Sequence, residues 1–287
     1  MDKDWLDQLP VNNITQVTPV GGGDVNNAYR ITTTDDTLFL LTQPDREADF
    51  YIGEIAGLKE FEKAGIFAPR VLDNGQINGD AYLLITYLEA GRGSQTNLGD
   101  LVAKLHKYQS KNGKFGFDYP SIGNDLTFDN SWVDSWSELF VNRRLDLLKN
   151  TIVKKGLWQE ADVKKYERAR EIILATLANH ESVPSLLHGD LWGGNYMFTD
   201  EGKPALIDPS AFYGDREFDL GVTTVFGGFE PDFYAAYNAA YPLDPGANER
   251  IVFYRMYYLM LHLMKFGSMY YSGAMGAINE VIANGNK

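Results

Sequence analysis

The chain has 287 residues, of which 44% are hydrophobic and 23% are charged, as is typical of a globular protein. Its 26 Lys and Arg residues against 39 Asp and Glu residues give a net charge of −13. This balance argues against nucleic acid or an anionic membrane as a partner, because both favour clustered cations. The absence of cysteine excludes disulfides, thiolate catalysis and cysteine-ligated zinc.

The lengths of the apolar segments indicate the cellular location of the protein. No apolar stretch of the length that a signal peptide needs follows residues 1–4. A run of about 18 apolar residues, as a membrane-spanning helix needs, is also absent, since the most apolar stretch, 256–266, is interrupted by His262 and Lys265. We therefore expect a soluble, cytoplasmic protein that binds neither membranes nor nucleic acid.

A glycine triplet lies near the start of the chain, between two segments with the alternation of strands, 14–20 and 28–31. The bare backbone N–H groups of Gly21, Gly22 and Gly23 could lie over the phosphates of a nucleotide. Taken alone, a glycine-rich hairpin is more often only a hairpin. The triplet therefore becomes a phosphate-binding candidate only if a catalytic motif follows it.

Hydrophobic periodicity predicts the further elements. In chain order, these are a strand at 38–41, a helix at 48–64, a strand at 81–89, helices at 98–108 and 159–180, a strand at 183–187, and a long apolar helix at 243–267.

Three polar residues follow short apolar runs in the second half of the chain. Asp190 lies in a His-Gly-Asp turn, Asn195 comes five residues later, and Asp208 ends the next apolar run. Phosphoryl transfer needs one carboxylate to orient the attacking hydroxyl, and an amide oxygen and a second carboxylate to hold Mg²⁺. Each residue alone could be an ordinary turn residue. Together, in the order and spacing of a kinase catalytic loop, they favour phosphoryl transfer.

The sequence HGDLWGGN at 188–195 resembles the H-G-D-x-x-x-x-N motif of aminoglycoside phosphotransferases and choline kinases. Together with IDPSAFYGDREFDL at 207–220, it resembles the fructosamine kinase (ketosamine-3-kinase) family more narrowly. The resemblance implies an α+β, protein-kinase-like fold of two lobes. A small antiparallel-sheet lobe would comprise residues 1–88, and a larger, mainly helical lobe residues 89–287.

The resemblance also implies ATP and Mg²⁺ as cofactors. Asp190 would be the catalytic residue that accepts or orients the hydroxyl proton, while Asn195 and Asp208 would hold the metal. Gly21, Gly22 and Gly23 would cover the phosphates, and the backbone groups of Thr86 and Leu88 would contact adenine.

The chain departs from this family in strand 38–41, where fructosamine kinases read F-V-K and this chain has Leu41 in place of the phosphate-binding lysine. Glu54, the expected partner of that lysine, would then lack a cation, and an unpaired buried carboxylate is costly. Arg30 on the second strand could supply the charge, although an exposed strand arginine is the commoner interpretation.

These observations leave three functions open. The first is a kinase for a sugar hydroxyl of a ketosamine, a small molecule carried on a free amino acid or on a protein lysine. The second is a pseudokinase that binds nucleotide but is impaired by Leu41. The third is a kinase of another amino compound, such as an aminoglycoside or an amino alcohol.

Other residues receive supporting roles. We expect His188 to hold the loop by hydrogen bonds, Asp219 to brace it from the following helix, and His106 to pack. Trp132 and Trp136, spaced i, i+4, are predicted to share one helix face and to pack in the core, with stacking on a sugar as the alternative.

Overall fold

A five-stranded antiparallel sheet forms the first part of the computed structural model, which describes residues 3–21, 27–123 and 126–285. The strand order is β1-β2-β3-β5-β4. The elements are helix α1 (Lys3–Leu6), strands β1 (Ile14–Val20), β2 (Asn27–Thr33) and β3 (Thr37–Gln43), a 3₁₀ turn (Ala48–Tyr51), helix α2 (Ile52–Lys63), and strands β4 (Val71–Ile77) and β5 (Asp80–Thr86). The predicted strands and the helix are therefore confirmed.

The two faces of this sheet pack against different partners because side chains alternate along a strand. Leu40 is fully buried on the outer face, in a small cluster with Trp5 of α1. Its neighbour Leu41 points to the inner face and packs, half-buried, against the main core, to which α2 contributes Leu58. Leu41 is thus on the face of the sheet that looks towards α2.

The second part of the chain is mainly helical. Its elements are α3 (Gln95–Lys107), β6 (Ser121–Ile122), β7 (Thr127–Phe128), a π-helix (Glu138–Leu145), α4 (Asp146–Lys154), α5 (Glu160–Leu177), β8 (Ser185–Leu187), β9 (Tyr196–Phe198), β10 (Pro204–Leu206), β11 (Phe212–Gly214), α6 (Glu217–Phe226), α7 (Pro231–Ala240), α8 (Ala247–Phe266), a 3₁₀ turn (Ser268–Tyr270) and α9 (Tyr271–Asn284). In the described ranges, no helix is both long and apolar enough to cross a membrane.

The architecture confirms the α+β prediction of a small antiparallel-sheet lobe followed by a mainly helical lobe. The division into residues 1–88 and 89–287 stays a prediction. The helices α4, α7 and α9 were not predicted, whereas α8 matches the predicted long apolar helix within a few residues.

The expectation that the two tryptophans share a helix face is wrong. Trp132 precedes the helix, because Val133 forms a β-bridge with Phe115 and helical residues begin at Trp136. Trp136 is buried, stacks on Phe140 with ring centroids 5.4 Å apart, and donates its indole N–H to the Tyr254 hydroxyl over 3.0 Å. Core packing is therefore confirmed for Trp136.

A nearly buried ion pair joins His180 to Asp215, with Nε2 and Oδ2 2.9 Å apart. The hydrogen bond to Asp215 raises the pKa of His180. Burial alone would raise the pKa of Asp215. The hydrogen bonds that its carboxylate accepts from His180 and from the Glu217 N–H outweigh this effect, so the pKa is lowered. The His180 contribution to stability is thus complete below the ordinary histidine pKa of about 6.5 and is lost as pH rises through the raised value.

Replacing His180 with Gln is expected to reduce the free energy of unfolding by about 1.5 kcal/mol at pH 6, where the pair is charged, and by less at pH 9. Urea denaturation of both proteins at the two pH values measures this difference. An equal loss at pH 6 and pH 9 would show that the charge of His180 does not contribute.

Candidate active site

The His-Gly-Asp turn begins where β8 ends. His188 is fully buried; its Nε2–H donates to the Ile207 carbonyl over 2.9 Å, and its Nδ1 accepts from the Asp190 N–H over 3.3 Å. The ring therefore ties Asp190 to the chain segment before Asp208. Because both ring nitrogens are used in this way, neither is left for proton transfer. The predicted holding role of His188 is confirmed.

A carboxylate from α6 fixes the same turn. Asp219 accepts from the N–H groups of His188 over 2.7 Å and Gly189 over 3.0 Å, and His106 Nε2 lies 3.1 Å from it. Gly189 has φ +82, and a Cβ there would overlap the Ser210 carbonyl. Only glycine allows the turn to approach the segment after Asp208 so closely. The brace by Asp219 and the buried packing of His106 are both confirmed.

Both carboxylate oxygens of Asp190 accept hydrogen bonds. The Tyr258 hydroxyl donates to Oδ1 over 2.7 Å, and Asn195 Nδ2 donates to Oδ2 over 3.1 Å. The same amide nitrogen donates to the Asp190 carbonyl over 2.8 Å. The amide group of buried Asn195 therefore turns its nitrogen to Asp190, which leaves its oxygen for another ligand.

Asp208 follows β10 and has φ +52, a left-handed conformation that non-glycine residues rarely adopt. Such strain is typical of functional positions. Burial first, and then the negative charge of Asp190, raise the pKa of Asp208. Two neighbouring carboxylates beside a free amide oxygen form a hard-oxygen set that suits Mg²⁺. The structure thus brings together Asp190, Asn195 and Asp208, as predicted.

Glu54 lies in the first turn of α2 and also faces Asp208. Burial first, and then the charge of Asp208, raise the pKa of Glu54 well above its usual range. No cation contributes to this shift. The inner face of β3 offers Leu41 where a lysine would be expected. The prediction of a carboxylate without its lysine therefore agrees with the surroundings of Glu54.

Arg30 does not reach Glu54. Its guanidinium lies over the Tyr87 ring, 4.8 Å from the centroid, and 3.8 Å from the Glu89 carboxylate. Both partners belong to the connection after β5, and neither is Glu54. The idea that Arg30 replaces the missing lysine is not supported by this geometry.

The backbone groups predicted to contact the nucleotide differ in their hydrogen bonds. The Thr86 N–H donates to the Arg70 carbonyl over 2.9 Å, so only its carbonyl can serve a base. Leu88 has no backbone hydrogen bond to another described residue, which leaves both its groups for a ligand. Gly21 is exposed at the end of β1, while Gly22 and Gly23 lie outside the described residues.

Comparison with known proteins agrees with this geometry. The family model for fructosamine kinase matches residues 3–284. The chain belongs to the fructosamine kinase family. It is a phosphotransferase with an alcohol group as acceptor.

Relatives extend over nearly the whole chain. A probable ketoamine kinase from Staphylococcus aureus is 56% identical, covering 98% of both chains. Protein-ribulosamine 3-kinase from Arabidopsis thaliana is 30% identical over 98% of this chain and 87% of its own.

Solved structures share the fold. A provisionally named fructosamine-3-kinase from Haemophilus somnus superimposes with a TM-score of 0.83 at 27% identity, covering 94% of this chain and 92% of its own. The aminoglycoside phosphotransferase APH(4)-Ia, in a ternary complex with ADP and hygromycin B, gives a TM-score of 0.68 at 14% identity, covering 96% and 95%. This second match shows the fold alone.

Tyr258 is a site residue of this fructosamine kinase family member that the sequence analysis missed. It lies in α8, which reads as an apolar core helix. Its hydroxyl donates to Asp190 from outside the loop, and burial followed by the charge of Asp190 raises its pKa. Tyr258 therefore stays protonated and positions the Asp190 carboxylate.

Replacing Tyr258 with Phe is expected to lower kcat about tenfold, because a hydrogen bond to a charged group is lost while the ring remains. The control is Tyr166→Phe, which removes a similar bond from a tyrosine to a carboxylate, that of Asp146 over 2.7 Å, between α5 and α4. Steady-state kinetics would compare the two variants. Unchanged kcat in the first would show that the hydroxyl does not position Asp190.

Proposed function

We propose that the protein transfers the γ-phosphoryl group of ATP to a sugar hydroxyl of a ketosamine, with Mg²⁺ as the metal. The observation that carries the proposal is the arrangement of Asp190, Asn195 and Asp208 around one turn. The names of the relatives, ketoamine kinase and protein-ribulosamine 3-kinase, support the substrate class.

Three features support ATP. APH(4)-Ia, which shares the fold, was crystallised with ADP. The free backbone groups of Leu88 and the carbonyl of Thr86 stand where the chain leaves β5, and both could contact adenine. Gly21 begins the glycine triplet that we propose as the phosphate cover.

Asn195 and Asp208 would hold Mg²⁺ by the amide oxygen and the carboxylate. The metal would neutralise negative charge on the phosphates when bound. Their hard oxygen ligands fit this ion, and the mutual repulsion of Asp208 and Asp190 would be relieved by any divalent cation.

Asp190 acts on the acceptor. Its carboxylate orients the sugar hydroxyl and takes its proton as the hydroxyl oxygen forms a bond to the γ-phosphorus. The bond from that phosphorus to the bridging oxygen breaks, and ADP leaves with the electron pair. Tyr258 and Asn195 each bind one carboxylate oxygen, so the base is held in one orientation before the substrate arrives.

A second candidate is a nucleotide-binding pseudokinase, and the position of Leu41 favours it. Loss of one charge-assisted phosphate contact removes about 1.5–3 kcal/mol of interaction. Against it stands the intact set of Asp190, Asn195 and Asp208, which a protein without turnover would not need. A related kinase activity on an aminoglycoside or amino alcohol would use the same residues.

The test is ADP release by the purified protein with ATP and Mg²⁺, with and without a fructosyl-amino acid. Stimulation by the fructosamine, abolished by chelation of the metal, is the expected result. Stimulation by an aminoglycoside but not by the fructosamine would show that the acceptor is an aminoglycoside and not a ketosamine. A rise in thermal stability with ATP but no turnover of any acceptor would support the pseudokinase.

A further inference from the structure

An exposed aromatic surface continues from Asp190 along α8. The His262 ring lies one turn after Tyr258 at 4.5 Å, and ring centroids of Phe226, Tyr270 and Phe266 lie 4.7, 5.2 and 5.3 Å from it. Phe226 is 43% exposed and Phe266 50% exposed. Large aromatic side chains this accessible, beside a catalytic carboxylate, form a surface that an apolar part of a substrate can cover.

The loop geometry keeps this surface next to the reacting group. A Cβ on Gly228 would lie 2.7 Å from the Cα of Gly193, so the segment after Phe226 packs directly on the Asp190 loop. Tyr258 links the same surface to Asp190 by its 2.7 Å hydrogen bond. A molecule whose hydroxyl meets Asp190 would therefore meet the aromatic rings with its neighbouring atoms.

An ammonium group follows the aromatic rings along α8. Lys265 follows Tyr258 and His262 at the i+7 and i+3 positions of α8, on the same helix face. It is exposed, and no described carboxylate lies within the 4.0 Å of an ion pair. Burial is the first cause that lowers the pKa of His262, and the positive charge of Lys265 lowers it further. The same charge partly offsets the rise in the pKa of Asp208.

We infer that this surface binds the amino-acid part of a fructosyl-amino acid, with Lys265 pairing with its α-carboxylate and the aromatic rings covering its side chain. The inference rests on the proposed function and narrows its substrate to free α-glycated amino acids. In such a molecule the carboxylate carbon is five bonds from the sugar C3, about 6 Å. Lys265 lies about 10 Å along the helix from Tyr258. Its long side chain can cover the remaining distance to the substrate carboxylate.

Protein-bound glycated lysine fits this surface less well. Its sugar is carried on a side-chain nitrogen, so no carboxylate stands one carbon from the amine. An exposed lysine pairs only weakly with a carboxylate, so the expected preference is modest and sensitive to salt.

The experiment compares two matched substrates: fructosyl-leucine and the fructosamine of 3-methylbutylamine, which is leucine without its carboxyl group. The wild-type protein should favour fructosyl-leucine, measured as the ratio of the two kcat/KM values, and Lys265→Gln should lower that ratio about fivefold. Lys265→Arg should keep most of it. Lys164→Gln, which removes a similar exposed charge from α5, is the control.

The outcomes separate this inference from the function on which it rests. If the protein phosphorylates both compounds but Lys265→Gln leaves the ratio unchanged, the carboxylate contact is wrong and the kinase stands. If the variant changes kcat or the KM for ATP equally with both substrates, Lys265 acts on the phosphates instead. If neither compound is phosphorylated, both proposals fail.

Discussion

Replacing Asp190 with Asn is expected to lower kcat about 10³-fold while ATP binding is kept. The amide has nearly the same shape and can still accept from Tyr258, but it cannot take the proton of the attacking hydroxyl. General-base catalysis contributes about 10²- to 10⁴-fold to rates of this kind. Because Asp190 is proposed to act on the acceptor, the KM for ATP should change little.

Two measurements define this result. Ketosamine-stimulated ADP release gives kcat, and the rise of thermal stability with ATP reports nucleotide binding independently of turnover. Asp200→Asn, in the exposed turn between β9 and β10, is the matched control. Full turnover by the Asp190 variant would refute the proposed mechanism, whereas loss of the ATP effect would indicate damage to the loop.

The sequence predicted that Asp190, Asn195 and Asp208 lie together because the geometry of this segment is local. Asp190 and Asn195 are five residues apart in one turn, and Asp208 follows the hairpin that begins directly after them. Short strands on either side leave few ways to arrange such a segment. Hydrogen bonds that close it, such as that from Asn195 to Asp190, involve neighbours in the chain. The geometry of such a motif can therefore be predicted from its sequence.

Residues that approach from elsewhere could not be found in this way. Tyr258 is 68 positions from Asp190 in the chain, and α8 has many apolar positions around its circumference. Periodicity alone therefore does not show which face meets the loop. The packing of α8 on α6 shows that the face with Tyr258 borders the site.

Arg30 illustrates a different limit. Strand alternation puts Arg30 on the inner face of the sheet, because it pairs with Phe39, which packs against the main core. Alternation does not, however, tell how far along the strand a long side chain reaches. The pairing of Arg30 with Phe39, two residues before Leu41, puts it near the connection after β5 and away from Glu54.

Replacing Leu41 with Lys is expected to raise kcat/KM for ATP about 10- to 100-fold. The new ammonium would lie on the inner face of β3, which looks towards α2 and Glu54, and would reach the phosphates from there. A charge-assisted hydrogen bond of this kind is worth about 1.5–3 kcal/mol, which corresponds to that change in rate. The cation should also lower the raised pKa of Glu54.

The controls separate charge from shape. Leu41→Met introduces an unbranched apolar chain of nearly the length of lysine without its charge, and should change kcat/KM little. Glu54→Gln in the lysine background should remove much of the gain, because the ammonium loses the carboxylate that orients it. Since Leu41 is only half-buried, thermal unfolding should show a folded variant. An unchanged kcat/KM would mean that another cation already neutralises the phosphates.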